Sequence, residues 1–240
     1  GSAQIFFQAL PGTGQEALAI KAILPQASVL LREQATEAAL KQTPAPSLLH
    51  IATHGFFLDG PASPSAETRA ASEFSRQRDT DSRLGEWAAR LENPLLRSGL
   101  ALAGANERGG GADDGVLTAL EASSLNLSGT RLVVLSACDT GIGKVENGEG
   151  VYGLRRALVL AGSETQVMSL WPVSDRQTRE LMVGYYRRLT KGEGRGEALR
   201  QIQLKMLKDP ALRSPYYWAS FIQAGEWANL EGRRTADLGK

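Results

Sequence analysis

Residues 48–55, LLHIATHG, and residues 132–141, LVVLSACDTG, decide how this chain is read. Each is an apolar run of strand length that ends in one reactive side chain shortly before a glycine: His54 ahead of Gly55, Cys138 ahead of Gly141. Strands apolar on both faces belong to the middle of a parallel sheet rather than to a half-wetted one. Cys138 is the single cysteine of the chain and His54 is one of two histidines. A thiol and an imidazole at two strand ends are the minimum equipment of a cysteine nucleophile and its base. Plainer explanations exist for both. A lone cysteine after an apolar run is ordinarily a small buried hydrophobe, and a strand histidine often only completes a core hydrogen bond. Position tilts the balance, because the ligand crevice of an open α/β sheet lies beyond its strand C-termini. Gly55 would let backbone approach a ligand closely.

Working outward, the pattern predicts strands at 4–8, 29–31, 48–53, 99–103, 131–137, 165–170 and 219–223. Between them fall helices over 15–24, after Thr36, and over 116–123, 151–161, 175–190 and 195–208. Thr13 is the expected N-cap of the first helix, with Glu16 at the capping-box position. Residues 60–86 are rich in Pro, Ser, Ala, Arg and Asp, which reads as a long mobile loop. Its place directly after His54-Gly55 suggests a functional lid. Two further Gly-rich loops are expected at 107–115 and 141–150. Strands alternating with helices argue an α/β fold, a mostly parallel sheet with helices on both faces. The crevice beyond its strand ends would gather His54, Cys138 and Asp175.

Composition narrows the functional classes. With 27 basic and 26 acidic residues the net charge is +1, and no basic block supports nucleic-acid binding. No apolar run has the length of a membrane span, and no signal pattern opens the chain. A single cysteine excludes an intrachain disulfide and fits a reducing, cytoplasmic setting. Hydrophobic content of 42% supports a core without a metal staple. His50 and His54 have helical ligand spacing, but on one strand they would stand roughly 13 Å apart. No metal and no cofactor are therefore expected, and His50 reads as a core or supporting residue. Gly141-Ile142-Gly143-Lys144 resembles a P-loop only superficially, since Val145 follows where Ser or Thr should. Gly1-Ser2 has the look of a tag remnant, so residue 3 is read as the start of a domain cut from a longer chain.

The stretches HIATHGFFLDG (50–60), NPLLRSGLALAGAN (93–106), DGVLTALEASSLNLSGTRLVVLSACDTGIG (114–143), NGEGVYGLRRALVLAGSETQVMSLWPVSD (147–175) and PYYWASF (215–221) together resemble the CHAT domain. This is a branch of the caspase-like cysteine proteases related to separase, and the resemblance runs from about residue 8 to 227. It implies a caspase-like three-layer αβα sandwich with a mostly parallel central sheet, one domain over 3–240, and a variable mobile loop at 60–92. It also implies a cysteine endopeptidase with Cys138 as nucleophile and His54 as proton-transfer partner. Backbone N–H groups of Gly55 and Cys138 would bind the oxyanion. No third residue that orients His54 can be named from the sequence. Asp175 matches the position where separase-like relatives hold a P1 arginine, which implies cleavage after Arg, less well after Lys. An ordinary helix N-cap is the equal alternative for Asp175, and one residue could do both. Trp171 and Asp139 are weaker pocket-wall candidates. If P1 is basic, Arg69, Arg76, Arg78 and Arg83 would be self-nicking sites.

Two rivals stay open: an active protease with apolar (Leu or Met) P1 preference, and a catalytically silent domain whose crevice binds a partner. The intact His54-Gly55 and Cys138 speak against silence. A small-molecule α/β hydrolase would need a Gly-x-Ser-x-Gly elbow that is absent. Expected partners are a protein or peptide substrate and a regulatory tetratricopeptide-type repeat domain on the full-length chain, with neither nucleic acid nor membrane. A role in bacterial signalling or defence is a family-level expectation.

Overall fold

The apolar runs at 48–51 and 132–135 form neighbouring strands of a central sheet. The computed structural model describes residues 6–57, 94–107, 113–136, 138–139, 149–171 and 174–232. In chain order its elements are α1 (Pro11–Ile23), a 3-10 turn (Arg32–Gln34), α2 (Glu37–Lys41), β1 (Leu48–Ile51), β2 (His54–Phe57), α3 (Pro94–Arg97), β3 (Ser98–Ala101), β4 (Val116–Thr118) and α4 (Ala119–Ala122). There follow β5 (Leu132–Leu135), β6 (Cys138–Asp139), α5 (Glu149–Leu160), β7 (Thr165–Ser169), α6 (Asp175–Leu189), α7 (Arg195–Lys208), α8 (Pro215–Trp218) and β8 (Phe221–Gly225).

The central sheet runs β1-β5-β7-β8, with the first three strands parallel and β8 antiparallel to β7. Alternate residues of β5 enter two different cores. Val133 and Leu135 join Leu154, Ala157 and Leu158 of α5 on one face. Leu132 and Val134 join Ile20 of α1, Leu181, Tyr185 and Tyr186 of α6, and Ile202 of α7 on the other. Both faces are dry, which is why the strand could be written without polar alternation. On α6 the buried residues Thr178, Leu181, Met182, Tyr185, Tyr186 and Leu189 follow the spacing of a single helical stripe. The result is the mostly parallel, helix-covered αβα sandwich that the alternation predicted.

A second sheet, ordered β4-β3-β2-β6, was not anticipated. β4, β3 and β2 form an antiparallel meander, and β6 adds parallel to β2. The predicted single strand 48–53 therefore divides at Ala52-Thr53: β1 stays in the central sheet, and the chain re-enters pairing as β2 in the second. The predicted strand 131–137 likewise gives way to β6 at Cys138. Gly99 in β3 is required by packing, because a Cβ there would lie 2.6 Å from the Leu117 carbonyl and 2.7 Å from the Phe56 ring.

Other expectations are corrected. Residues 29–31 make no strand; Val29 and Leu31 are half-buried and Leu30 is exposed, and the run pairs with no strand among the described residues. The described part of the expected strand 4–8 is also irregular. Its Phe7 N–H and C=O are both taken by the Asn106 side-chain amide, at 3.0 and 2.8 Å, instead of by a sheet neighbour. The first helix begins at Pro11 rather than near residue 15, with proline in its first turn, where a missing N–H costs nothing. Thr13 is inside that helix, its hydroxyl donating to the Leu10 carbonyl at 2.7 Å. The predicted helix 116–123 starts as β4 and turns helical only after Thr118, which closes a capping box with Glu121. Thr36 caps α2 as expected, accepting from Ala39 N–H at 3.1 Å. The loop predicted at 60–92, with Arg69, Arg76, Arg78 and Arg83, lies outside the described residues, as does nearly all of the Gly-rich loop at 141–150.

Arg195 closes the N-terminal end of the central sheet. It is 1% exposed. Its guanidinium donates to the carbonyls of Ala228 (2.8 Å), Asn229 (3.4 Å) and Arg131, to Thr165 Oγ1 (2.8 Å) and to Glu164 (3.2 Å). One planar fork thus ties the starts of β5, β7 and α7 to the segment after β8. Arg195→Ala should lower unfolding free energy by about 3 kcal/mol or more, since it strands several buried acceptors. Arg195→Lys should recover little, because one ammonium cannot span the fork. Urea unfolding of both variants measures this.

Candidate active site

The site is assembled where β1 and β5 leave the central sheet. After Ile51 the chain steps through Ala52 and Thr53, whose hydroxyl donates to the Ala101 carbonyl and pins the step against β3. His54 then opens β2, with Ala101 as its antiparallel partner and Cys138 as its parallel one. Gly55 is paired with Asp139 in the same register. Adjacent strands lie about 5 Å apart, so the backbones of His54 and Cys138 run side by side.

The His54 ring is half-buried and its Nε2 stands 2.6 Å from the backbone carbonyl of Gln8. A carbonyl only accepts, so Nε2 carries the proton and Nδ1 keeps the free lone pair. Nδ1 is buried and has no hydrogen-bond partner among the described residues. Phe7 covers the ring, centroids 5.8 Å apart, and also meets Phe56 at 5.9 Å. The group that orients His54, which sequence reasoning could not name, is therefore a main-chain carbonyl just ahead of α1. No side-chain signal could have revealed it.

Asp175 is the first residue of α6, and Ser174 is that helix's N-cap. The Asp175 side chain is turned away from capping its own helix: Oδ2 accepts from Gly12 N–H of α1 at 3.1 Å. A Cβ at Gly12 would fall 2.1 Å from that oxygen, so the approach needs glycine. Gln8, on His54, and Gly12, on Asp175, are four residues apart on one segment, hence within about 14 Å of each other. Trp171 is half-buried, and its indole N–H donates to the Tyr216 carbonyl at 3.1 Å.

Beneath these residues lies a buried polar cluster. Glu16, expected in a capping box, is 3% exposed and points inward; its Oε2 accepts from Ser136 Oγ at 3.2 Å. Its Oε1 stands 3.1 Å from His50 Nε2, close enough for charge–dipole attraction though off the line of a hydrogen bond. His50 Nδ1 pairs with the Tyr186 hydroxyl at 2.9 Å. Burial, with smaller contributions from Tyr185 and the Glu16 charge, holds the Tyr186 hydroxyl well above the usual phenol range, so it stays a neutral O–H. His50 is thus joined to α1 and α6 within this buried cluster. Among the described residues no group of three His, Cys, Asp or Glu side chains stands close enough to hold a metal ion.

A mostly parallel sheet between helices, with paired His and Cys strand extensions at its C-terminal edge, defines a caspase-like αβα domain. The CHAT domain model matches residues 2–226, and the chain belongs to the CHAT domain family. It is also similar to tetratricopeptide repeat protein 28 of Mus musculus, 32% identical over 119 residues, and to that of Homo sapiens, 31% identical over 115. Each match takes in 48% of this chain, which spans 5% of the relative's length. No described helix is long and apolar enough to cross a membrane.

Tyr186→Phe should destabilise the domain by about 1–2 kcal/mol, because it leaves His50 Nδ1 buried without a donor. Denaturant midpoints of parent and variant measure the loss.

Proposed function

We propose that this domain is a cysteine endopeptidase in which His54 and Cys138 act as a dyad. The observation that carries the reading is their pairing as register partners on adjacent parallel strands. His54 Nδ1, left free by the Gln8 carbonyl on Nε2, takes the thiol proton as sulfur attacks the peptide carbonyl. The imidazolium then returns that proton to the leaving amine. In the second half, water adds to the acyl-enzyme, His54 accepts its proton, and the thiolate departs and is reprotonated. Backbone N–H groups of Gly55 and Cys138 are the proposed oxyanion donors, a class of contact that contributes a few kcal/mol at the developing charge. Trp171 and Asp139 are proposed walls of the substrate crevice.

Asp175 is the proposed P1 carboxylate, selecting Arg and then Lys. Its bond to Gly12 N–H specifies the terms. Oδ1 and the second lone pair of Oδ2 stay available, so a bidentate clamp on a guanidinium is compatible with the Gly12 bond. That same bond favours the second reading, an apolar P1 preference with Asp175 as a tie between α1 and α6. Regulation by tetratricopeptide-type repeats on the full-length chain is proposed because the matched relatives are named as proteins of that repeat.

A peptidyl chloromethyl ketone should label the parent and fail to label Cys138→Ala. Cys138→Ala and His54→Ala should each lower kcat/KM by at least about 1000-fold. Undiminished turnover in either variant would sink the dyad. Peptide-library profiling decides P1. Asp175→Asn keeps an acceptor for Gly12 and removes the charge, so it should cost cleavage after Arg about a hundredfold. Cleavage after Leu or Met with no change in Asp175→Asn would establish the apolar reading instead.

A further inference from the structure

His54 is fixed from outside its own sheet, by the Gln8 carbonyl at 2.6 Å. That carbonyl belongs to residues 6–10, which form no helix or strand and so have no ladder to hold them in place. The backbone of residue 7, next to that carbonyl, is instead held on both sides by one side chain. Asn106 Oδ1 accepts from Phe7 N–H at 3.0 Å while Asn106 Nδ2 donates to Phe7 C=O at 2.8 Å. This amide-to-backbone pairing imitates two rungs of a sheet. Asn106 itself is placed by the turn after β3, where Glu107 N–H bonds the Gly104 carbonyl at 2.8 Å. β3 is the strand whose Ala101 faces His54. The path closes on itself: His54, across to β3, round the turn to Asn106, onto Phe7, and through the next carbonyl back to the imidazole.

We propose that Asn106 is a positioning residue for His54, fixing the imidazole tautomer through the Phe7-Gln8 backbone. The proposal rests on the dyad reading for its catalytic consequence, though not for its structural one. Both bonds of Asn106 go to the main chain of residue 7, so its removal frees the Gln8 carbonyl without touching β2, β6 or the central sheet. A neutral imidazole that loses its Nε2–H acceptor can move the proton to Nδ1, and Nδ1 then no longer serves as a base.

The test uses the 240-residue chain labelled with 15N-histidine, whose two imidazoles, His50 and His54, give separate signals. His50 is the internal reference. In the parent at pH 8, His54 should show Nε2 protonated and Nδ1 bare. Asn106→Ala should move His54, and not His50, toward a mixture of tautomers and lower kcat about tenfold with KM nearly unchanged. Asn106→Asp keeps the acceptor for Phe7 N–H and loses the donor to Phe7 C=O, so it should fall between the two. Parent-like His54 signals and kcat in both variants would overturn the proposal. So would loss of the parent's melting transition in both, which would assign Asn106 to the stability of the fold. If the parent shows neither turnover nor Cys138 alkylation, the dyad reading fails, and the His54 signals of parent and variants still decide the role of Asn106.

Discussion

The register of one parallel strand pair governs the site. Leu48 pairs with Leu132 in the central sheet and His54 with Cys138 in the second, 84 residues apart in each case. The alignment set among buried apolar residues of the central sheet therefore recurs in the second sheet. The same offset holds at His54 and Cys138. Both faces of β5 are buried, and its alternate residues enter different cores. Sliding it by one residue would exchange those cores and move Cys138 off His54 at the same time. Stability and site geometry are thus one constraint, and the hydrophobic core specifies where the thiol-bearing residue comes to lie.

What surrounds the pair is held by polar contacts. Ser136 sits two residues before Cys138 and donates to Glu16, so β5's exit is tied to α1. Glu16 faces His50 of β1, and His50 pairs with Tyr186 of α6. A carboxylate at 3% exposure is costly without partners, and apolar residues of equal volume would pack at least as well. The cluster makes structural sense as a registry device. It joins α1 to β1, to the exit of β5 and to α6, and α1 follows the segment that meets His54 and carries the Gly12 that meets Asp175.

The strands at 48–51, 132–135 and 165–169 were legible because unbroken burial leaves an unbroken apolar run. α6 and α7 were legible because a helical stripe has its own period. His54 and Cys138 stood out by scarcity and by position at the strand ends. The second sheet was hidden. β2 and β6 are short and follow their parent strands after two residues, so their apolar letters merge with the first run. Glu16 was misplaced for a related reason: an acidic residue three after Thr13 fits a capping box, and the sequence cannot show that a histidine and a serine distant along the chain converge on it. Residues 29–31 have the letters of a strand without a neighbour to pair with among the described residues. The Gln8 carbonyl carries no letter at all.

That last omission bears on mechanism. A carboxylate behind a histidine both orients it and stabilises its charged form, because a charge-assisted hydrogen bond is roughly twice as strong as a neutral one. A peptide carbonyl does the first and little of the second. In this site the orienting group on Nε2 is a neutral main-chain carbonyl, and what it supplies is direction. For the proposed dyad, proton removal from sulfur would then depend on how the ring is aimed at the moment of attack. Geometry of that kind depends on the backbone at residue 8. The first described segment, tied to Asn106 on one side and leading into α1 on the other, therefore bears on the aim of His54 as directly as the strand that carries it.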